Sequence, residues 1–244
     1  AVPYAILATS APTLTQADFT DATGAIKDPA TVQAVHDTKD KTIDTFEEVA
    51  KFVKNLQLDT DSETRILGDL KSIYDAEGKA VPAVFKEEYL SYDTDTGIGF
   101  SVDMTQFTPR STYTSSSLRR QYFRAMKWYI MVPFFVKSPE LTDYAFGITQ
   151  LLAENERALT DYNKLEAAIK FMVGDSDDLM PADYLAALQT AKGTPDPTAA
   201  ALEYLVKARD PKIKDLAAQY PAAGTEQSDE VRLKTKGLRF FSAK

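Results

Sequence analysis

The sequence predicts an all-α protein of many helices, layered or stacked in solenoid fashion, with at most minor β structure. Three observations carry this. Four times an Asp or Ser stands directly before Pro: Asp28-Pro29, Ser138-Pro139, Asp196-Pro197 and Asp210-Pro211. Such pairs open helices, because the side-chain oxygen accepts from free N–H groups of the first turn and Pro at the first helical position loses no hydrogen bond. Between these starts the apolar residues recur at three- and four-residue spacing. Alternating stretches are scarce, and Ile98 to Phe107 is the best strand candidate.

Taken in order, about nine helices are expected. Val32 and Val35 follow Pro29, and Ile43, Phe46, Val49, Ala50 and Val53 make a clean apolar stripe. Ile66, Leu67, Leu70, Ile73 and Tyr74 make the next, with Asp61 or Ser62 as its cap. Phe85 to Tyr92 suits either strand or helix. Leu118, Tyr122, Phe123, Met126 and Tyr129 mark a long helix after the serines 115–117. Leu141 to Leu152 follows Pro139, then Leu159, Tyr162, Leu165, Ile169 and Met172, then a shorter helix from Pro181 to Ala191. Leu202, Leu205 and Val206 follow Pro197, and Ile213 and Leu216 follow Pro211. Clusters of Gly, Pro, Asp and Ser at 24–28, 77–79, 93–99, 174–178, 193–195 and 222–228 read as loops. One domain spans 1–244, with a subdivision into 1–80 and 81–244 left open.

Composition narrows function. The chain has 244 residues and a formal charge of −8, 44% hydrophobic and 26% charged, which is ordinary for a folded protein. The acidic balance argues against a nucleic-acid partner. Without Cys, thiolate nucleophiles, disulfides and zinc–thiolate sites are ruled out, and one His, His36, removes any two-histidine metal site. His36 itself reads as a surface or capping residue. The longest apolar run, Trp128 to Val136, is nine residues and holds Pro133, far short of a membrane span. The opening Ala1-Val2-Pro3 looks like a mature N-terminus after signal-peptide removal, which together with the lack of Cys suggests an exported protein. No Gly-rich phosphate loop, G-x-S-x-G or H-E-x-x-H occurs, so no enzyme class is indicated.

Several clusters could carry binding. Asp93-Thr94-Asp95-Thr96-Gly97 begins like a calcium loop, but position 12 is Met104 where a bidentate Glu is needed. Asp59-Thr60-Asp61-Ser62-Glu63 also alternates acids, which a helix N-terminus explains. Gly174-Asp175-Ser176-Asp177-Asp178 is the densest acidic loop, and its charge calls for a Ca²⁺ ion, an Arg partner or helix capping. Arg119, Arg120, Arg124 and Lys127 form a basic cluster on one helix, with 120, 124 and 127 on one face and Tyr122, Phe123, Met126 and Trp128 toward the core. Tyr113, Tyr122 and Trp128 are candidates for an aromatic patch that stacks on sugars, with core packing as the plainer reading.

A resemblance appears over residues 103–244. Phe107-Thr108-Pro109-Arg110-Ser111-Thr112-Tyr113-Thr114, then Leu118, then Tyr122-Phe123-Arg124-Ala125-Met126-Lys127-Trp128-Tyr129, resembles the signature of the "domain of unknown function 3160" family, large secreted or surface-anchored microbial proteins. Phe171 to Leu179, with Pro181, Asp183 and Tyr184, resembles its Gly-x-Ser-Asp-Asp-Leu block, and Lys236-Gly237-Leu238-Arg239-Phe240-Phe241 its Lys-Gly-Phe-Arg block. The chain departs from the pattern at Thr112, where the family usually has His, and at Lys127, where it has Met. The family pattern runs on past residue 244, so a processed or shorter form is expected.

Arg110 and Arg124 are the natural neutralisers of Asp175, Asp177 and Asp178, and the five are expected to form a network that holds the loop to the helix. Breaking such a network costs about 3–5 kcal/mol. The expected function is that of an exported, non-catalytic structural or interaction protein at the cell surface, one component of a larger extracellular assembly with other protein subunits. A glycan- or small-solute-binding module is the alternative, and a hydrolase using two carboxylates comes third. No cofactor is implied beyond a Ca²⁺ ion at Asp175, Asp177 and Asp178.

Overall fold

The computed structural model describes residues 45–90, 100–210 and 236–241. His36, the helix after Pro29, the loop 93–97 and the helix from 213 lie outside the described residues. The elements run α1 (Phe46–Asn55), α2 (Thr60–Asp75), β1 (Lys79–Ala80), α3 (Lys86–Leu90), β2 (Val102–Asp103), α4 (Ser117–Met131), β3 (Phe134–Phe135), α5 (Pro139–Glu154), α6 (Glu156–Val173), α7 (Pro181–Ala191), α8 (Pro197–Lys207) and β4 (Gly237–Leu238). The fold is all-α with two small two-stranded sheets, β1–β2 and β3–β4. No helix among the described residues is long and apolar enough to cross a membrane.

The helix starts follow the capping chemistry. Thr45 and Glu48 close a capping box on α1. Asp59 accepts from the Ser62 N–H at 2.9 Å, so the cap of α2 lies two residues before the earlier of the two expected caps, and the acids at 61 and 63 sit in the first turn, where the helix dipole favours them. Ser138 and Asp196 cap α5 and α8, each followed by its Pro. The strand candidate Ile98–Phe107 contracts to two residues, because Asp103 turns back to accept from both the N–H and the hydroxyl of Thr105 and starts a 3₁₀ turn over Met104–Phe107. Phe85 to Tyr92 yields the end of a 3₁₀ turn and the five-residue helix α3.

Two compact units result, one from residues 1–84 with 103–128 and one from 85–102 with 129–244, so the first extends past residue 80 and regains the chain at 103. In unit 1 the apolar stripe of α1 buries Val49 and Val53, and α2 buries Ile66, Leu70 and Ile73. Asp69 is buried on the same face. Its carboxylate accepts from the Ala83 N–H at 2.5 Å and the Val84 N–H at 3.1 Å, and burial pushes its pKa up to about 6 despite these bonds. Arg124 was expected to be an ion-pair partner of the acidic loop. It is buried instead, with its guanidinium 4.4 Å from the centre of the Tyr74 ring, where a cation–π contact replaces water.

Unit 2 packs around aromatic rings. Tyr89, Phe100 and Phe135 meet pairwise with centroids 4.8–5.6 Å apart, and Tyr89 donates to the Pro133 carbonyl. Phe146 on α5 meets Tyr184 on α7 edge-on at 5.2 Å. β3 and β4 are antiparallel, with Phe134 opposite Leu238 and Phe135 opposite Gly237. A Cβ at position 237 would lie 2.2 Å from the Phe134 carbonyl oxygen, so only glycine permits this approach. The apolar spacing on α6 included Met172, yet Met172 is 73% exposed and Phe171 91% exposed.

Candidate functional site: a polar cleft in unit 2

The acidic loop begins where Gly174, at φ 86°, ends α6. It closes when Pro181 starts α7, whose third residue, Asp183, accepts from the Met180 N–H at 2.7 Å. Ser176 accepts from the Asp178 N–H at 3.2 Å. These bonds turn the loop tightly and direct the Asp178 carboxylate inward, where its side chain is 13% exposed.

The cation on Asp178 is Arg239. Its Nε lies 3.1 Å from Oδ2, with the N–H off the line of a hydrogen bond, while Nη1 donates to the Ile130 carbonyl. Burial holds the Asp178 pKa above the ordinary carboxylate range, opposed by the charges of Arg239 and Arg209. The backbone joins the same two segments: the Arg239 N–H donates to the Leu179 carbonyl at 2.9 Å, and Leu179 bridges Leu238. Arg209 grips Asp183 with both ends of its fork at 2.7 Å and donates to the Asp178 carbonyl at 2.8 Å. Lys236 is buried and caps the end of α8, donating to the carbonyls of Val206 and Ala208 and to Asp210.

Within unit 2 the loop's acids have partners other than the two arginines expected for the five-residue network. Arg110 and Arg124 belong to unit 1, where Arg110 donates to Gln106 and Arg124 lies over Tyr74. Asp178 is held by Arg239 and, through its carbonyl, by Arg209, both of its own unit. Asp175 is exposed and paired with Lys170 at 2.6 Å. The charge of Asp177 raises the Asp178 pKa further. Among the described residues no group of three or more acidic or His side chains converges as a metal site would require. The aromatic patch is smaller than expected: Tyr113 and Tyr122 stack at 6.3 Å, but Trp128 is buried.

Beside the loop lies a half-open cleft of about 430 Å³, walled by Tyr162, Asn163, Glu166 and Lys170 of α6, Asp175, Ser176 and Met180 of the loop, Ala182 and Asp183 of α7, and Arg209. Tyr162 donates its hydroxyl to the Phe240 carbonyl at 3.0 Å, and burial pushes its pKa far up, so it stays protonated. Its ring packs on Phe240 and Phe241. Both cations of the cleft already face carboxylates, Lys170 on Asp175 and Arg209 on Asp183. The cleft therefore offers an amide, a hydroxyl and paired charges, with Glu166 as the carboxylate left over.

Sequence reasoning missed Asp183, Arg209, Lys236 and Arg239 as site residues. Asp183, Lys236 and Arg239 stood inside the quoted blocks; nothing in the local pattern marked Arg209 as their companion.

An all-helical protein whose acidic loop and Lys-Gly-Leu-Arg segment are locked together beside a polar cleft is the class these features define. The family model described as "Protein of unknown function (DUF3160)" matches residues 14–244, and the chain belongs to that family. The match begins at residue 14, well before the signature blocks at 103. No curated protein and no solved structure matches the chain.

Proposed function

We propose that the protein is a non-catalytic binding protein whose unit 2 cleft takes a small, neutral, hydroxyl-rich solute such as a saccharide or polyol. The pairing of the cleft's cations carries this reading. An anionic ligand would have to displace Asp175 from Lys170 or Asp183 from Arg209, whereas hydroxyls can bridge these pairs as they stand. Asn163, Ser176 and Glu166 add donors and acceptors of the kind that fix orientation in a pocket, and Met180 and Ala182 supply an apolar floor. A thermal-shift panel of neutral mono- and disaccharides and polyols tests it. A ligand that raises the melting temperature of the protein but not of Asn163→Ala supports the reading; a panel without any shift refutes it.

A second reading is an interaction module within a larger assembly, and exposed apolar side chains favour it. Phe171 and Met172 stand 91% and 73% exposed at the end of α6, and Tyr144, Ile148 and Leu151 line one exposed stripe of α5. Phe171→Ser with Met172→Ser should then reduce self-association or retention by a partner without changing stability. The exported, cell-surface setting rests on the resemblance of the sequence blocks and belongs to the same proposal.

A further inference from the structure

Charge is unevenly distributed along this chain. Residues 104–139 hold Arg110, Arg119, Arg120, Arg124, Lys127 and Lys137 and no Asp or Glu, in a protein with 36 acids and 28 Lys and Arg. Within a Debye length of about 8–10 Å a local cluster outweighs the net charge of the chain. Two of these cations, Arg110 and Lys127, belong to unit 1. Arg110 is exposed and donates to Gln106 at 3.3 Å. Lys127 is half-buried, with its ammonium 5.8 Å from the centre of the Phe123 ring. Neither has a carboxylate partner among the described residues. Lys127 lies against Phe123, Phe123 against Tyr113, and the Tyr113 N–H donates to the Arg110 carbonyl at 3.2 Å, so both cations border the same aromatic cluster; burial, and after it the charge of Arg110, lower the Lys127 pKa.

An aromatic surface adjoins them. Phe123 lies 5.2 Å from Tyr113, and Tyr113 stacks on Tyr122 at 6.3 Å with ring planes 21° apart. Tyr113 keeps 38% of its surface exposed. The loop that carries both Arg110 and Tyr113 holds Ser111 at φ 56°, a left-handed conformation that non-glycine residues rarely adopt and that often marks a binding loop.

We propose that Arg110, Lys127 and the Tyr113–Tyr122 stack form a binding site for an acidic saccharide. A carboxylate or sulfate substituent sits between the two cations, where it removes their mutual repulsion and takes the Arg110 fork and the Lys127 point charge. The sugar ring lays its apolar C–H face on the exposed ring of Tyr113. A free inorganic anion shares the first contact but not the second. The site belongs to unit 1 and does not depend on the unit 2 cleft.

Calorimetric titration of the full chain with trigalacturonate, a neutral trisaccharide and sodium sulfate tests the proposal, using the wild type, Arg110→Ala, Lys127→Met and Tyr113→Ala, each checked for an unchanged circular dichroism spectrum. Trigalacturonate is expected to bind the wild type, about tenfold more weakly in Arg110→Ala and Lys127→Met. In Tyr113→Ala trigalacturonate should weaken while sulfate does not. No binding of trigalacturonate, or binding that survives both cation substitutions, overturns the proposal. So does sulfate binding as tight as trigalacturonate, or equal affinity for acidic and neutral trisaccharides in every variant.

Discussion

Arg239→Met probes the lock between the acidic loop and the Lys-Gly-Leu-Arg segment. Arg239 is 4% exposed and Asp178 13%, so the substitution leaves a carboxylate buried beside Arg209 alone and frees the Ile130 carbonyl. Breaking one side of a buried pair costs about 3–5 kcal/mol. Arg209 and protonation of Asp178 offset part of this, which places the expected loss near the lower end, about 3 kcal/mol at pH 7.5. For a protein of this size that lowers the melting temperature by about 6–12 °C. The sign of the pH dependence follows from Asp178. Its folded pKa, already raised by burial, rises further once Arg239 is gone. A raised carboxylate pKa favours the fold most below the unfolded value and loses that advantage as pH climbs through the folded one. The deficit of Arg239→Met should therefore be smallest near pH 4 and grow toward pH 7. Adding Asp178→Asn should restore part of the stability at pH 7.5, since no buried charge is left unpaired. Urea melts of the four members of the cycle at both pH values give the numbers. A loss under about 1 kcal/mol, or strictly additive single effects, refutes the lock.

Three further outcomes are expected. Asp69, raised to about 6 by burial, should withdraw up to about 3 kcal/mol of stability as pH rises from about 4 to above 6, and Asp69→Asn should flatten that part of the stability–pH curve measured by urea denaturation. Gly237→Ala forces a Cβ to within 2.2 Å of the Phe134 carbonyl oxygen and should cost at least about 1–3 kcal/mol by opening β3 from β4, while Gly147→Ala, with open space around it, should not destabilise. Ca²⁺ added after chelator treatment should leave the melting temperature unchanged, because Arg239 and Lys170 already meet the charges of Asp178 and Asp175.

Much of the helical framework is legible in the sequence because its signals are local. Ser138-Pro139 and Asp196-Pro197 start α5 and α8 within one turn of chain, and Gly174 stops α6 by its own backbone freedom. The acidic loop was legible as a place where charge needs a partner. Its partners were not, because Arg209 and Arg239 lie about 30 and 60 residues further on and an acidic loop attracts any cation the fold brings near. Arg110 and Arg124 stood in a recognisable block just as Arg239 did, but Gln106 and Tyr74 engage them within unit 1. Asp69 gave no signal at all: an acid at an apolar helical spacing is stable only because the backbone of residues 83 and 84 turns two N–H groups toward it.

The central claim, a hydroxyl-binding cleft in unit 2, is tested most directly by calorimetric titration of the best neutral ligand against the wild type and against Asn163→Ala and Glu166→Gln. Both side chains line the cleft and neither takes part in the Arg209–Asp183 or Lys170–Asp175 pairs. Binding about tenfold weaker in each variant, with unchanged melting temperature in the absence of ligand, is the expected result. Equal affinity in all three proteins would contradict the claim.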